Sequence, residues 1–217
     1  MLDDDIATLL SEYEGLEEIK RSPFGVTLAG MLSFDAAPDS HELISDCFEI
    51  EVFIPSEYPE KMPLVWDAGA RIRGDFEHIN SDGSFCLAVP VEERIIFDQS
   101  PSLLGFIDNL VVPFLYGYSY WEKNAEMPFD ERSHGAKGLL EYYLDLYSSS
   151  DKVAVLKGVY GLVKVGYKPH EKCPCGSGRK VLRCHKEQSK AIAKSQYKEK
   201  IAAEMYLILD DLTKRSY

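Results

Sequence analysis

Apolar and polar positions follow two rhythms along this chain, and the switch between them marks out its elements. Ile6, Leu9, Leu10, Tyr13, Leu16 and Ile19 recur at helical spacing. Asp3, Asp4 and Asp5 precede them, where carboxylates cap a helix and suit its dipole. The first twenty residues therefore read as one amphipathic helix with its stripe in the core. The rhythm then shortens: residues 25–34 read as a strand and 36–40 as a turn. Across residues 46–54, Phe48, Ile50, Val52 and Ile54 share one face and Glu49 and Glu51 the other, as in a half-solvated antiparallel strand. Cys47 falls out of phase with the apolar face and receives no role. The run Tyr58-Pro59-Glu60-Lys61-Met62-Pro63 breaks the sheet, because neither proline can donate to a ladder, and residues 64–66 form a short further strand.

Helical spacing returns in the second half. Residues 91–99 read as a loop, and Ser100-Pro101 as the cap and first position of a helix with Leu103, Leu104, Ile107, Leu110 and Val111 inward. Residues 116–121 are unusually aromatic. Residues 136–147 form the next helix, with Leu139, Leu140, Tyr143, Leu144 and Tyr147 inward. Ser148-Ser149-Ser150 marks a boundary and caps a helix over 151–164. Ile192, Tyr197, Ile201, Met205, Ile208 and Leu212 mark a last amphipathic helix, packed on the chain itself or on a partner. The order of helix, meander strands, then helices defines an α+β domain over residues 1–147 and a helical extension over 148–217.

Charge sharpens that division. With 217 residues and 45% hydrophobic content the chain can bury a sizeable core. Its net charge of −12 is uneven: residues 1–150 carry 9 Lys+Arg against 29 Asp+Glu, residues 151–217 carry 15 against 7. The acidic part argues against nucleic acid as a main partner, since phosphates need cationic surface. The basic part suits nucleic acid, an acidic protein, or the acidic body itself. No apolar run reaches the ~18 residues of a membrane span, and the acidic start lacks a signal-peptide pattern. Five cysteines, three of them close together beside a histidine, indicate a reducing cytoplasm and a metal site more than a disulfide framework.

Two stretches carry chemistry. In Phe76-Glu77-His78-Ile79-Asn80-Ser81-Asp82-Gly83-Ser84-Phe85-Cys86-Leu87, turn-forming residues lead to one cysteine, with a histidine eight positions upstream. Cys86 is a candidate nucleophile; the plain alternative is a small hydrophobe in a strand. For His78 the alternative is a loop histidine bonded to backbone. Glu92, Glu93, Asp98 and His134 read as solvated loop or helix-capping residues. In the extension, Cys173-Pro174-Cys175-Gly176-Ser177-Gly178 leads to Cys184-His185. Three thiolates and one imidazole are the ligand set of a closed tetrahedral zinc site, so the metal is expected to be structural. Lys172, Arg179, Lys180, Arg183 and Lys186 surround it with basic surface.

The order of elements, with the cysteine between sheet and next helix, resembles the ubiquitin-conjugating enzyme fold over residues 1–147. Tyr58-Pro59-Glu60-Lys61-Met62-Pro63-Leu64-Val65 resembles the family's Y-P-F-x-P-P-x-V, the run from Ile79 to Leu87 its I-N-x-x-G-x-I-C-L, and Ser100-Pro101 the S-P opening its next helix. The C-x-C-x8-C-H spacing within residues 170–187 resembles the SEC-C motif of bacterial proteins, among them the SecA translocase tail. Three departures mark a divergent member. His78 stands where the family has an asparagine, Ala88 replaces an acid, and the loop from Cys86 to Ser100 is about six residues longer than is common. The aromatic run and Glu131-Arg132-Ser133-His134-Gly135 resemble conjugating-enzyme-like proteins of bacterial antiviral operons.

The resemblance implies an enzyme that carries a ubiquitin-like protein, or the C-terminus of a cyclic-nucleotide synthase, as a thioester on Cys86. It would receive this from an activating enzyme and pass it to an amine of a protein target, with His78 in the asparagine's oxyanion-binding role. One rival is a non-catalytic module whose SEC-C tail contacts a chaperone, ribosome or translocase. The other, a cysteine hydrolase using Cys86 and His78, lacks a third member.

Overall fold

Two glycines decide where the first helix stops and the sheet begins. The computed structural model describes residues 2–38, 41–129, 133, 135–194 and 198–214. Helix α1 (Leu2–Glu12) ends early, and β1 (Leu16–Ser22) follows instead of the two further helical turns expected. The Gly15 carbonyl accepts from Met31 N–H at 2.8 Å. A Cβ on Gly15 would lie 2.2 Å from the Met31 oxygen, and one on Gly30, at φ +136°, would lie 2.1 Å from the Gly15 oxygen. Only glycines permit this approach. Leu16 stays buried, but the β1–β2 register shifts between Glu18 and Lys20, so Ile19 bulges out and is 52% exposed.

Strands β1, β2 (Gly25–Ala36), β3 (Ile44–Pro55) and β4 (Leu64–Asp67) form an antiparallel meander in that order. The period-two expectation for β3 holds: Phe48, Ile50, Val52 and Ile54 are buried. Residues 91–99, expected as a loop, are mostly helix α2 (Pro90–Phe97). The next helix starts two residues later than expected: Ser102, not Ser100, caps α3 (Leu103–Phe106), its Oγ accepting from Gly105 N–H at 2.9 Å. Asp5 joins that turn to the first helix, accepting from Leu103 N–H at 3.0 Å and from Tyr58 Oη at 2.8 Å. One turn of π-helical backbone (Ile107–Val111) then leads into α4 (Val112–Asn124). Pro113 explains the widening: it lacks an N–H and its ring crowds the carbonyl four residues back. Of the aromatic run, Tyr116 and Tyr118 are fully buried and donate to the carbonyls of Glu42 and Arg71 at 2.8 and 2.9 Å.

The chain forms two compact units, residues 1–88 with 92–130, and 89–91 with 131–217. The serine run expected as the boundary therefore lies inside the second unit. The reason is packing: α5 (Gly135–Leu146), expected to close the first domain, packs on α6 (Lys152–Val165) and α8 (Lys198–Lys214). Asp151 caps α6, accepting from Ala154 N–H at 2.9 Å. The single last helix expected is two, α7 (Lys186–Ala193) and α8, with Ile192, Ile201, Met205 and Ile208 buried as the stripe required. Tyr143 of α5 donates to the buried Glu204 of α8. Tyr197, Glu131, Arg132, His134 and residues 39–40 of the expected turn lie outside the described residues. Among those described, no helix is long and apolar enough to cross a membrane.

Candidate functional site

Cys86 sits on a short two-stranded ribbon fastened to the open edge of the sheet. Ile79 pairs with Phe85 in antiparallel sense, Asn80 N–H donates to the Ser84 carbonyl at 2.8 Å and Cys86 N–H to the His78 carbonyl at 2.9 Å. That register sets His78 directly opposite Cys86, and side chains so opposed lie on one face, about 5 Å apart at Cβ. The turn at the tip is local chemistry. Gly83 takes φ +83°, and Asp82 Oδ1 accepts from both N–H and Oγ of Ser84, at 3.0 and 2.7 Å. The Asn80 amide donates to the Phe85 carbonyl at 3.0 Å, holding the residue before the cysteine.

The ribbon is anchored on both sides. Phe85 N–H donates to the Val65 carbonyl of β4 at 2.8 Å, and Trp66 Nε1 to the Asp82 carbonyl at 3.2 Å. Phe85 itself enters the core and stacks on Phe114, ring centroids 4.4 Å apart. His78 is half-buried, tilted against Phe76 at 5.2 Å. The Cys86 thiol is half-buried; burial, and secondarily the charge of Glu93, raise its pKa above the ordinary thiol value.

The long segment after Cys86 is held by Arg94. Its side chain, 13% exposed, donates to Asp98 at 3.2 Å and to the Pro59 carbonyl, and lies 5.1 Å from the Phe97 ring. Asp98, expected as a solvated loop or helix-capping residue, lies just past the end of α2 and is 19% exposed in this pair. Glu92 and Glu93 occupy the first turn of α2, where carboxylates suit the dipole. Replacing Arg94 by alanine leaves Asp98 and the Pro59 carbonyl partly buried without their cation. It is expected to cost about 3 kcal/mol in urea unfolding and to make Cys86 react faster with a thiol reagent. Unchanged stability would show the clamp to be decorative.

In the second unit, Cys173, Cys175, Cys184 and His185 bring one ligand atom each within 4.8 Å of all the others, close enough to hold a metal ion. Cys173 Sγ and Cys184 Sγ lie 3.3 and 3.4 Å from His185 Nδ1, and Cys175 Sγ lies 3.6 Å from Cys184 Sγ. Two sulfurs at ~2.3 Å from a tetrahedral ion stand about 3.8 Å apart, so these spacings fit one four-coordinate ion. The hairpin folds for local reasons. Lys172 bridges Lys180, Cys173 N–H donates to the Arg179 carbonyl at 2.8 Å, and Gly176 and Gly178 turn at φ +77° and +74°. A 3₁₀ turn, Val181–Arg183, then presents Cys184.

Burial pushes the Cys173 thiol up to about 11. Burial also works to raise Cys175, but the Ser177 hydroxyl and N–H, then Cys173 and Cys184, hold it down to about 6. Tyr147 packs edge-on against the His185 ring at 5.4 Å and fixes its tilt.

Asn80, Arg94 and Ser177 carry parts of these sites that the sequence reading did not assign. An asparagine four residues before a serine across an Asp-Gly turn was the one local signal available, for Asn80. Compared with known proteins, the chain matches no family model, no curated protein and no solved structure.

Proposed function

We propose that this protein carries an acyl group as a thioester on Cys86 and passes it to an amine, as a divergent ubiquitin-conjugating enzyme would. The observation that carries the reading is the opposition of His78 to Cys86 on a ribbon fixed to the sheet edge. The helix, four-strand meander and following cysteine support the same family resemblance.

In the first step the Cys86 sulfur, losing its proton, attacks the carbonyl carbon of a partner's thioester. The partner's thiolate leaves and takes up a proton. In the second, a target amine attacks the new thioester, the C–S bond breaks, and the nitrogen's proton returns to the departing thiol. An N–H of His78 donates to the oxyanion of that step, the role the family gives its asparagine. Burial, and secondarily Glu93, raise the thiol pKa in the free chain, which disfavours the thiolate until a partner docks. The donor is a ubiquitin-like protein or a cyclic-nucleotide synthase C-terminus, and the setting is bacterial antiviral defence in the cytoplasm. Zinc would be held by Cys173, Cys175, Cys184 and His185; with all four positions filled by protein it would be structural and would supply folding free energy to the tail.

The same raised thiol favours a second reading, a non-catalytic module acting through its tail. Incubation with activating enzyme, donor and ATP separates them. Wild type should gain the donor's mass through a thiol-labile bond, and Cys86→Ser should form a thiol-resistant ester or nothing. An adduct that forms equally on Cys86→Ala, or equal activity of that variant in cells, removes the enzymatic reading.

A further inference from the structure

A second concave site lies wholly within the C-terminal unit, between α6 and the metal-binding hairpin. It encloses about 280 Å³. Its floor is apolar: Leu162 and Val181 are buried there beside Pro174 of the hairpin. Glycine makes the groove twice over. At Gly158 a Cβ would fall 2.5 Å from Pro174, so this residue lets α6 lie directly on the hairpin. At Gly161 a Cβ would meet no heavy atom within 4 Å, so its missing side chain leaves open space. An interior glycine weakens a helix relative to alanine; close packing accounts for the first and nothing in the fold accounts for the second.

The rim is cationic. Lys157, Lys168 and Lys172 line it against the single carboxylate of Glu171. Among the described residues, none of the three lysines is paired with a carboxylate. Next to this rim α6 leaves Tyr160 and Val165 54% and 62% exposed, with the Lys164 ammonium over the Tyr160 ring. A basic rim around an apolar floor of this volume fits one aliphatic or aromatic side chain flanked by carboxylates. A phosphate backbone would use the rim and waste the floor.

We infer that this groove is a docking site for an acidic peptide segment of another protein, anchored by one apolar side chain in the space left by Gly161. Burying that side chain supplies affinity at ~25 cal/mol per Å², and the lysines supply orientation and a salt-sensitive approach. The site involves neither Cys86 nor its ribbon, so the inference stands or falls apart from the conjugating reading.

The test is selection of a randomised library of peptides about ten residues long against the metal-loaded, full-length Cys86→Ser chain. The expected winners carry one Leu, Ile, Met or Phe between Asp or Glu residues. Their affinity should fall about tenfold between about 50 mM and about 500 mM salt. It should fall by a similar factor in the Lys157→Glu, Lys172→Glu double variant. Gly161→Leu fills the groove from within and favours the helix; it should abolish selection while metal content is unchanged and melting temperature is not lowered. No selection, selection of basic or purely polar peptides, or undiminished binding to Gly161→Leu overturns the inference. So does tighter binding of a single-stranded RNA of about twenty nucleotides that the winning peptide fails to displace.

Discussion

Stripping the metal from the C-terminal cluster is expected to unfold the hairpin and release α7, while the sheet of the first unit keeps its protection from hydrogen exchange. Three thiols and an imidazole with ligand atoms within 4.8 Å of one another are a poor arrangement without an ion, since their protons and lone pairs must share a part-buried space. Burial already raises Cys173, which is 4% exposed. An ion reverses this by taking the thiolates and releasing their protons. Its apparent binding free energy, ~10–16 kcal/mol in small zinc peptides, rivals the ~5–15 kcal/mol net stability of a whole domain. Hairpin order is expected to depend on it because the other ties are short and local: the hydrogen bonds flanking the Lys172–Lys180 bridge, the Ser149 hydroxyl donating to the Cys175 carbonyl at 2.9 Å, and the packing of Pro174 and Val181. Cys184→Ser should therefore lose bound metal and exchange protection across residues 170–193 together. Protein purified without chelator that holds no metal, or a melting temperature indifferent to a strong chelator, would overturn this expectation.

The second large effect concerns His78. His78→Ala should slow amine transfer from a preloaded Cys86 adduct by about two orders of magnitude, the loss seen when one oxyanion donor is removed, while the adduct still forms. The Ile79–Phe85 register sets His78 opposite Cys86, and the contact with Phe76 limits where its ring can turn. On the proposed reading, loading would rest on the sulfur and the partner's thioester and would not need this donor. His78→Asn returns an N–H of similar reach and should recover part of the rate. The two steps are read separately, by single-turnover discharge to a lysine peptide and by adduct formation. Should His78→Ala block adduct formation in a folded chain, the residue is the base that activates Cys86. Should neither step change, it has no chemical part.

Much of both sites was written in local pattern, and the misreadings share one cause. Leu16 and Ile19 satisfy a helical stripe, yet both lie in a strand, because a seven-residue segment can take either form and its partner decides. Residues 91–99 hold no pattern strong enough to read as a helix. An eight-residue helix has little stability of its own, and α2 is held by the Arg94 bond to the Pro59 carbonyl and the packing of Phe97 on Tyr58, partners far away in sequence.

By itself the sequence determined the alternation of β3, the buried stripe from Leu103 to Val111, and the four residues that come close enough to hold a metal ion. In each case neighbouring residues carry the constraint: period two for a sheet face, 3.6 for a helix face, and C-x-C with C-H for donors around one ion. Tertiary structure alone decided the end of α1, the assignment of α5 to the second unit, the docking of the Cys86 ribbon on β4 and the groove beside the hairpin. Each of these depends on how closely two backbones approach. Gly15 against Met31, Phe85 against Val65 and Gly158 against Pro174 are contacts between segments that no local period connects.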